Sequence, residues 1–265
     1  MSDFTILIQG PLNKISLESI ENYQKYGEVV ISCWDDDDLS LIPKGIRYKA
    51  APLPDRNEEG TRGFKKNSTW YWAITSQLNG FELVKTKYVI KTRSDESYFN
   101  LKPFIKTFLK DPNLFVCGSI FVRRWEDCGY HIGDHIYALK TKMALEAARF
   151  LVEMYRGKGD LAAWADQEMY VAEQILAYAY LHIKDKSLFY DERICQKKTM
   201  LENFSVVDIN LTQKFTAQYA HQNITFKDKF NNLHRVNCHK DLRDDSDVNW
   251  LPPRSEDWEG EHKDV

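Results

Sequence analysis

The run Tyr88-Val-Ile-Lys-Thr-Arg-Ser-Asp-Glu96 puts an arginine and two carboxylates directly after an apolar, β-type stretch. A diphosphate with a divalent cation calls for this mixture. A guanidinium grips phosphate oxygens through paired N–H bonds, and carboxylates hold hard cations such as Mg²⁺ and Mn²⁺ alongside phosphate oxygens. The same residues would also suit a salt-bridged surface turn. A second run, Val29-Val-Ile-Ser-Cys-Trp-Asp-Asp-Asp-Asp38, sets Asp35 at a strand end, where an acid can accept hydrogen bonds from a ribose or base. Four aspartates also make a solvated turn that caps the next segment. Gln9-Gly10-Pro11 lets a nucleotide approach the backbone, although one glycine falls short of a phosphate-loop fingerprint.

The loop Arg56 to Lys66, with Arg62, Lys65 and Lys66 beside two glycines, reads either as a basic flap over a diphosphate or as a solvated loop. Further along, His131-Ile-Gly-Asp134-His and the stretch Asp166 to Gln174 supply carboxylates able to take a proton from an acceptor hydroxyl. Asp166 and Glu173 lie seven apart on an expected helix and share a face, which Glu168 does not. A polar helix face is the alternative for each. His221, His234 and His239 have no compact metal-ligand spacing. The aromatics Trp70-Tyr71-Trp72 and Tyr178 to Tyr180 suit a core, or a surface on which a sugar ring stacks.

These groups need elements to hold them. Apolar runs at Phe4–Ile8, Val29–Trp34, Ile46–Tyr48 and Tyr88–Lys91 predict strands. Helical spacing over Leu17–Tyr26, with Ser16 as N-cap, and over Asn67–Leu78, closing near Gly80, predicts the helices between them. Such alternation signals a parallel sheet with helices on its faces. Beyond it the order loosens: a strand at Leu114–Arg123, a strand or loop at Ile132–Leu139, and helices at Lys142–Tyr155 and Ala162–Leu181. Residues 1–240 read as a single domain, with a ligand-binding half at 1–100 and a more helical acceptor half at 101–240; 241–265 read as an irregular tail.

Composition narrows the partners. A net charge of −3 over 265 residues gives no field to draw nucleic acid or an anionic membrane. Five scattered cysteines without a C-x-x-C pair argue against a disulfide framework or a zinc site and fit a cytoplasmic setting. No secretory leader or membrane-spanning run is expected.

Taken in order, Ile6-Leu-Ile-Gln-Gly-Pro11, Ile31-Ser-Cys-Trp-Asp35, Asn67 to Ser76 with Gly80, Thr86 to Asp95, Gly133-Asp134-His-Ile-Tyr137 and Glu173-Gln174 resemble the WavE-like family of lipopolysaccharide and capsule glycosyltransferases. The resemblance covers roughly the first two-thirds of the chain. It implies the GT-A fold, a Rossmann-like α/β sheet with an acceptor-side half, a nucleotide-sugar donor, and a glycan or glycolipid acceptor reached by peripheral membrane contact. It also implies Mn²⁺ or Mg²⁺ on Asp95, because Arg93-Ser94-Asp95 occupies the place of an Asp-x-Asp motif. Here Arg93 stands for the first acid and can neutralise phosphate itself. Gln9, Gly10, Pro11 and Asp35 would border the nucleotide, Arg62 and Asn67 the diphosphate or donor sugar, and Asp134 and Glu173 the transferred sugar and acceptor. Glu173 or Asp166 would be the base of an inverting reaction. A sugar nucleotidyltransferase is the nearest rival, but it calls for a glycine-rich basic loop after the first strand. A non-catalytic nucleotide-sugar-binding protein is the other.

Overall fold

In the computed structural model, residues 2–54, 70–118, 130, 132–156, 172–188, 193–212 and 216–217 are described. Strand β1 (Phe4–Gln9) is buried at every position, as a strand covered on both faces must be. Parallel to it run β2 (Glu28–Trp34) on one side and β4 (Tyr88–Arg93) on the other, and β3 (Arg47–Ala51) pairs in parallel with β2 at the edge. Two-residue β5 (Glu96–Ser97) leaves this sheet to pair with β9 (Thr216–Ala217). Antiparallel β7 (Tyr137–Lys140) joins β4 to β6 (Phe115–Gly118), and β8 (Phe204–Val207) completes a seven-stranded sheet in the order β3-β2-β1-β4-β7-β6-β8. The expected α/β class with a mostly parallel, Rossmann-like sheet is what the chain adopts.

Helix α1 (Lys14–Tyr23) and α3 (Lys102–Lys110) lie on one face. Phe108 of α3 meets Phe4 and Tyr88 at ring distances of 5.9 and 5.1 Å, and the backbone N–H of Tyr98 donates to the hydroxyl of Tyr23 in α1. On the other face lie α2 (Trp70–Phe81), α4 (Thr141–Tyr155) and α5 (Ala172–Lys184). Gly80 of α2 sits so close to Leu7 that an added Cβ would stand 2.4 Å from its Cδ1. Phe115 anchors the far half, ring to ring with Tyr137, Tyr180 and Phe204 at 4.9–5.6 Å. Helix α6 (Arg193–Asn203) leads into β8.

Several boundaries differ from expectation. The N-cap of α1 is Asn13, and Ser16 is its third residue: the Asn13 side chain accepts from the Ser16 N–H while the Asn13 N–H donates to Ser16 Oγ. Such a reciprocal box satisfies two otherwise open donors. Strand β4 runs two residues further than Lys91, and β7 takes only the end of Ile132–Leu139. Helix α3, with Pro103 in its first turn, and β8 have no counterpart among the expected elements. The described part of the expected strand at Leu114–Arg123 is β6, and that of the helix at Ala162–Leu181 belongs to α5, which runs on to Lys184. The tail lies outside the described residues. Among the described residues no helix is long and apolar enough to cross a membrane.

Candidate functional site

In an open parallel sheet the chain winds one way from a central strand and then the other. The gap this leaves at the strands' carboxyl ends is where ligands sit. Here that switch falls between β1 and β4, the two strands that end on Gln9-Gly10 and Arg93-Ser94. A cleft of about 530 Å³ opens there, within the roughly 300–1,000 Å³ usual for small-molecule sites. Gln9, Gly10 and Pro11 form one wall, Trp34 and Trp72 an aromatic side, and Lys91, Arg93, Asp95 and Asp134 the charged end.

Backbone hydrogen bonds hold the first wall in place. The Gly10 N–H donates to Ser32 O at 3.0 Å and the Ser94 N–H to Gln9 O at 2.9 Å, so both ladders of β1 continue into the loops. Gly10 has φ +123°, and an added Cβ would stand 2.6 Å from Ser94 Oγ; both conformation and space require glycine. Asp37 receives the N–H of Leu12 at 3.1 Å on one oxygen and that of Trp34 at 2.9 Å on the other, tying the β1 loop to the end of β2. The Gln9 side-chain oxygen is buried with no hydrogen-bond partner among the described residues, an acceptor that a ligand N–H or O–H would satisfy.

The charged end is a layered network. Arg93 grips Asp95 in bidentate fashion, Nε to Oδ1 at 2.8 Å and Nη2 to Oδ2 at 2.7 Å. Behind this pair Glu96 is 0% exposed, bonded to His135 Nδ1 and to the Tyr98 hydroxyl, with Arg93 Nε 3.8 Å away. His135 turns its Nε2 toward Asp134, 3.7 Å from Oδ1. Burial alone would raise the Glu96 pKa, but His135, Arg93 and Tyr98 outweigh it and hold the carboxyl well below its usual range. Burial likewise pushes His135 down, yet the Glu96 carboxylate overrides it and the net shift is upward. Lys91, 1% exposed, donates to the backbone oxygen of Asp134 at 2.7 Å and lies over the Tyr137 ring. Burial, with Arg93 adding to it against the opposing pull of Asp134, lowers its pKa to about 8.

The cleft thus gathers Gln9, Gly10, Pro11, Arg93, Asp95 and Asp134 of the expected site. Asp35 is exposed at the end of β2 and does not line it; in the aspartate tetrad the structural tasks fall to Asp37 and to Asp38, which caps Leu39–Leu41. Glu173 stands in the first turn of α5 and is not among the residues that line the cleft. Arg62, Asn67 and Asp166 lie outside the described residues. Sequence reasoning does not single out Lys91, Trp34 or the Glu96–His135 pair. Lysine inside a strand covered on both faces is the signal for the first, since such a residue is paired or functional.

The chemistry of the donor set bears on the metal. Both Asp95 oxygens are held by Arg93, Glu96 is committed to His135 and Tyr98, and Asp134 faces His135. Among the described residues no three His, Cys, Asp or Glu side chains gather as a metal-ligand group. As they stand, these residues do not make a protein-held divalent site.

No protein-family model and no curated protein matches the chain. Among solved structures, the crystal structure of HddC from Yersinia pseudotuberculosis superposes with a TM-score of 0.33 at 12% identity, over 54% of this chain and 78% of that one. A likeness at that level says nothing of what this chain does.

Proposed function

We propose that the chain is a glycosyltransferase that moves a sugar from a nucleotide-sugar donor to a hydroxyl of a glycan or glycolipid acceptor. The observation that carries this reading is the cleft itself, in which an aromatic side, with an amide oxygen that has no hydrogen-bond partner among the described residues, leads to a cationic and carboxylate end at the switch point. The base stacks by Trp34 and Trp72 and is read by Gln9; the diphosphate runs toward Arg93 and Lys91. As the glycosidic bond breaks, these two cations stabilise the leaving nucleoside diphosphate. Asp134, 14% exposed on the cleft wall, takes the acceptor proton if the reaction inverts the anomeric centre. Mn²⁺ or Mg²⁺ would bind Asp95 only once Arg93 releases it. A lipid-linked acceptor fits peripheral contact with a membrane.

Calorimetric titration of the full chain with a panel of nucleotide-sugars, followed by assay of nucleoside diphosphate release with glycan acceptors, tests this. One donor should bind saturably and release its diphosphate when an acceptor is added. Formation of pyrophosphate from a sugar phosphate and a nucleoside triphosphate would instead identify a nucleotidyltransferase. Binding without turnover would identify a binding protein, and no binding by any donor would remove the premise.

A further inference from the structure

Phosphate-binding loops usually present backbone N–H groups to the ligand. In this cleft four of those groups are already taken: the N–H of Gly10 by Ser32, of Leu12 by Asp37, of Asn13 by Ser16 and of Ser94 by Gln9. The Asp95 carboxylate is engaged through both oxygens. The cations are not. Arg93 uses two of its five N–H donors on Asp95, and Lys91 uses one of its three on the backbone of Asp134, so among the described residues both keep donors over on the cleft wall. The two also stand on the same face of β4, two residues apart, so their charges point to one side of the sheet.

We propose that Lys91 and Arg93 form a grip for a diphosphate that works without a divalent cation, Arg93 supplying the place and the charge that a metal on Asp95 would otherwise take. It rests on the donor reading for the choice of ligand. Lys91 fixes how deep the anion sits, because its ammonium is anchored at the floor by the Asp134 carbonyl. Arg93, its side chain a third exposed, offers its remaining donors to the phosphate while it holds Asp95. A divalent ion would have to displace that guanidinium and then lie beside it, which like charge disfavours.

The test is calorimetry of the full chain with inorganic pyrophosphate, first in excess chelator and then as its Mn²⁺ complex, repeated with the nucleotide-sugar panel and on Arg93→Gln and Lys91→Met. Saturable binding in chelator is expected, changed less than about twofold by Mn²⁺ and weakened about tenfold or more in each variant, as loss of a charge-assisted contact requires. Binding that appears only with Mn²⁺, binding indifferent to both substitutions, or none under either condition would overturn the grip. The comparison with and without chelator needs no variant. Pyrophosphate held in chelator while no nucleotide-sugar binds would sink the donor reading and leave the grip standing. A nucleotide-sugar held only with Mn²⁺ would do the reverse.

Discussion

Lys91 is the residue at which stability and function pull apart. Its folded pKa of about 8 lies below the ordinary 10.5. Between those values the unfolded chain binds the extra proton, so stability rises with pH across that window and the penalty is full below it. Lys91→Met should therefore stabilise the fold at neutral pH by on the order of 2 kcal/mol, offset in part by the lost bond to Asp134, while weakening pyrophosphate binding. Urea titrations of both proteins at several pH values check this, and a gain that fails to shrink toward pH 10.5 would refute it. The Glu96–His135 pair has the opposite character. Glu96 is depressed from 4.5 and His135 raised from 6.5, so the pair stabilises most between those values. It weakens as acid protonates Glu96 and as base deprotonates His135. Glu96→Gln should cost about 3–5 kcal/mol, since it leaves a buried imidazolium without its partner. Nitrogen NMR of His135 should show the titration falling below the wild-type value; an unchanged titration would mean that Glu96 does not hold the charge.

The elements that aim these groups are legible wherever periodicity is strong. β1, β2, β4 and α4 follow directly from apolar runs at spacing two or near 3.6. What the sequence conceals are short pieces: β8 is four residues directly behind a helix, and α3 hides its apolar face, Phe104 and Phe108, among lysines. Ser16 reads as an N-cap because it precedes the apolar spacing, but the reciprocal bond with Asn13 moves the helix start three residues earlier. Arg93 and Asp95 are readable as phosphate and cation chemistry, whereas their pairing with each other depends on the tight turn from β4 to β5, which pattern does not encode. That turn packs on Gly10. Gly10→Ala should cost about 1–3 kcal/mol through its positive φ and the approach to Ser94, and weaken ligand binding as well. Gly80→Ala, which drives a methyl into Leu7, should cost about as much in stability and leave binding affinity intact. Thermal denaturation and calorimetry on the two variants separate them; equal loss of binding in both would mean that Gly10 acts only through stability.

At the scale of the whole molecule, β4 is the seam. It pairs in parallel with β1 and antiparallel with β7, so β1, β2 and β3 and the later β6, β7 and β8 share one sheet. A single apolar cluster runs from Phe4 to Val207 across that seam. The cleft draws on both sides too, with Gln9 and Trp34 from the first half and Asp134 from the second. If the sheet is one cooperative unit, heating should give a single transition whose calorimetric and van't Hoff enthalpies agree. Phe115→Ala, which empties the ring cluster in the second half, should lower that one transition by about 3–5 kcal/mol, on the order of 10 °C. Pyrophosphate bound beside β1 and β4 should raise the same transition in both proteins, because a ligand that binds only the native state stabilises everything that unfolds with its site. Scanning calorimetry decides it. Two transitions, with Phe115→Ala moving one and pyrophosphate the other, would show that the seam at β4 transmits no stability, and Asp134 would then have to be treated as belonging to a body that unfolds apart from the rest of the cleft.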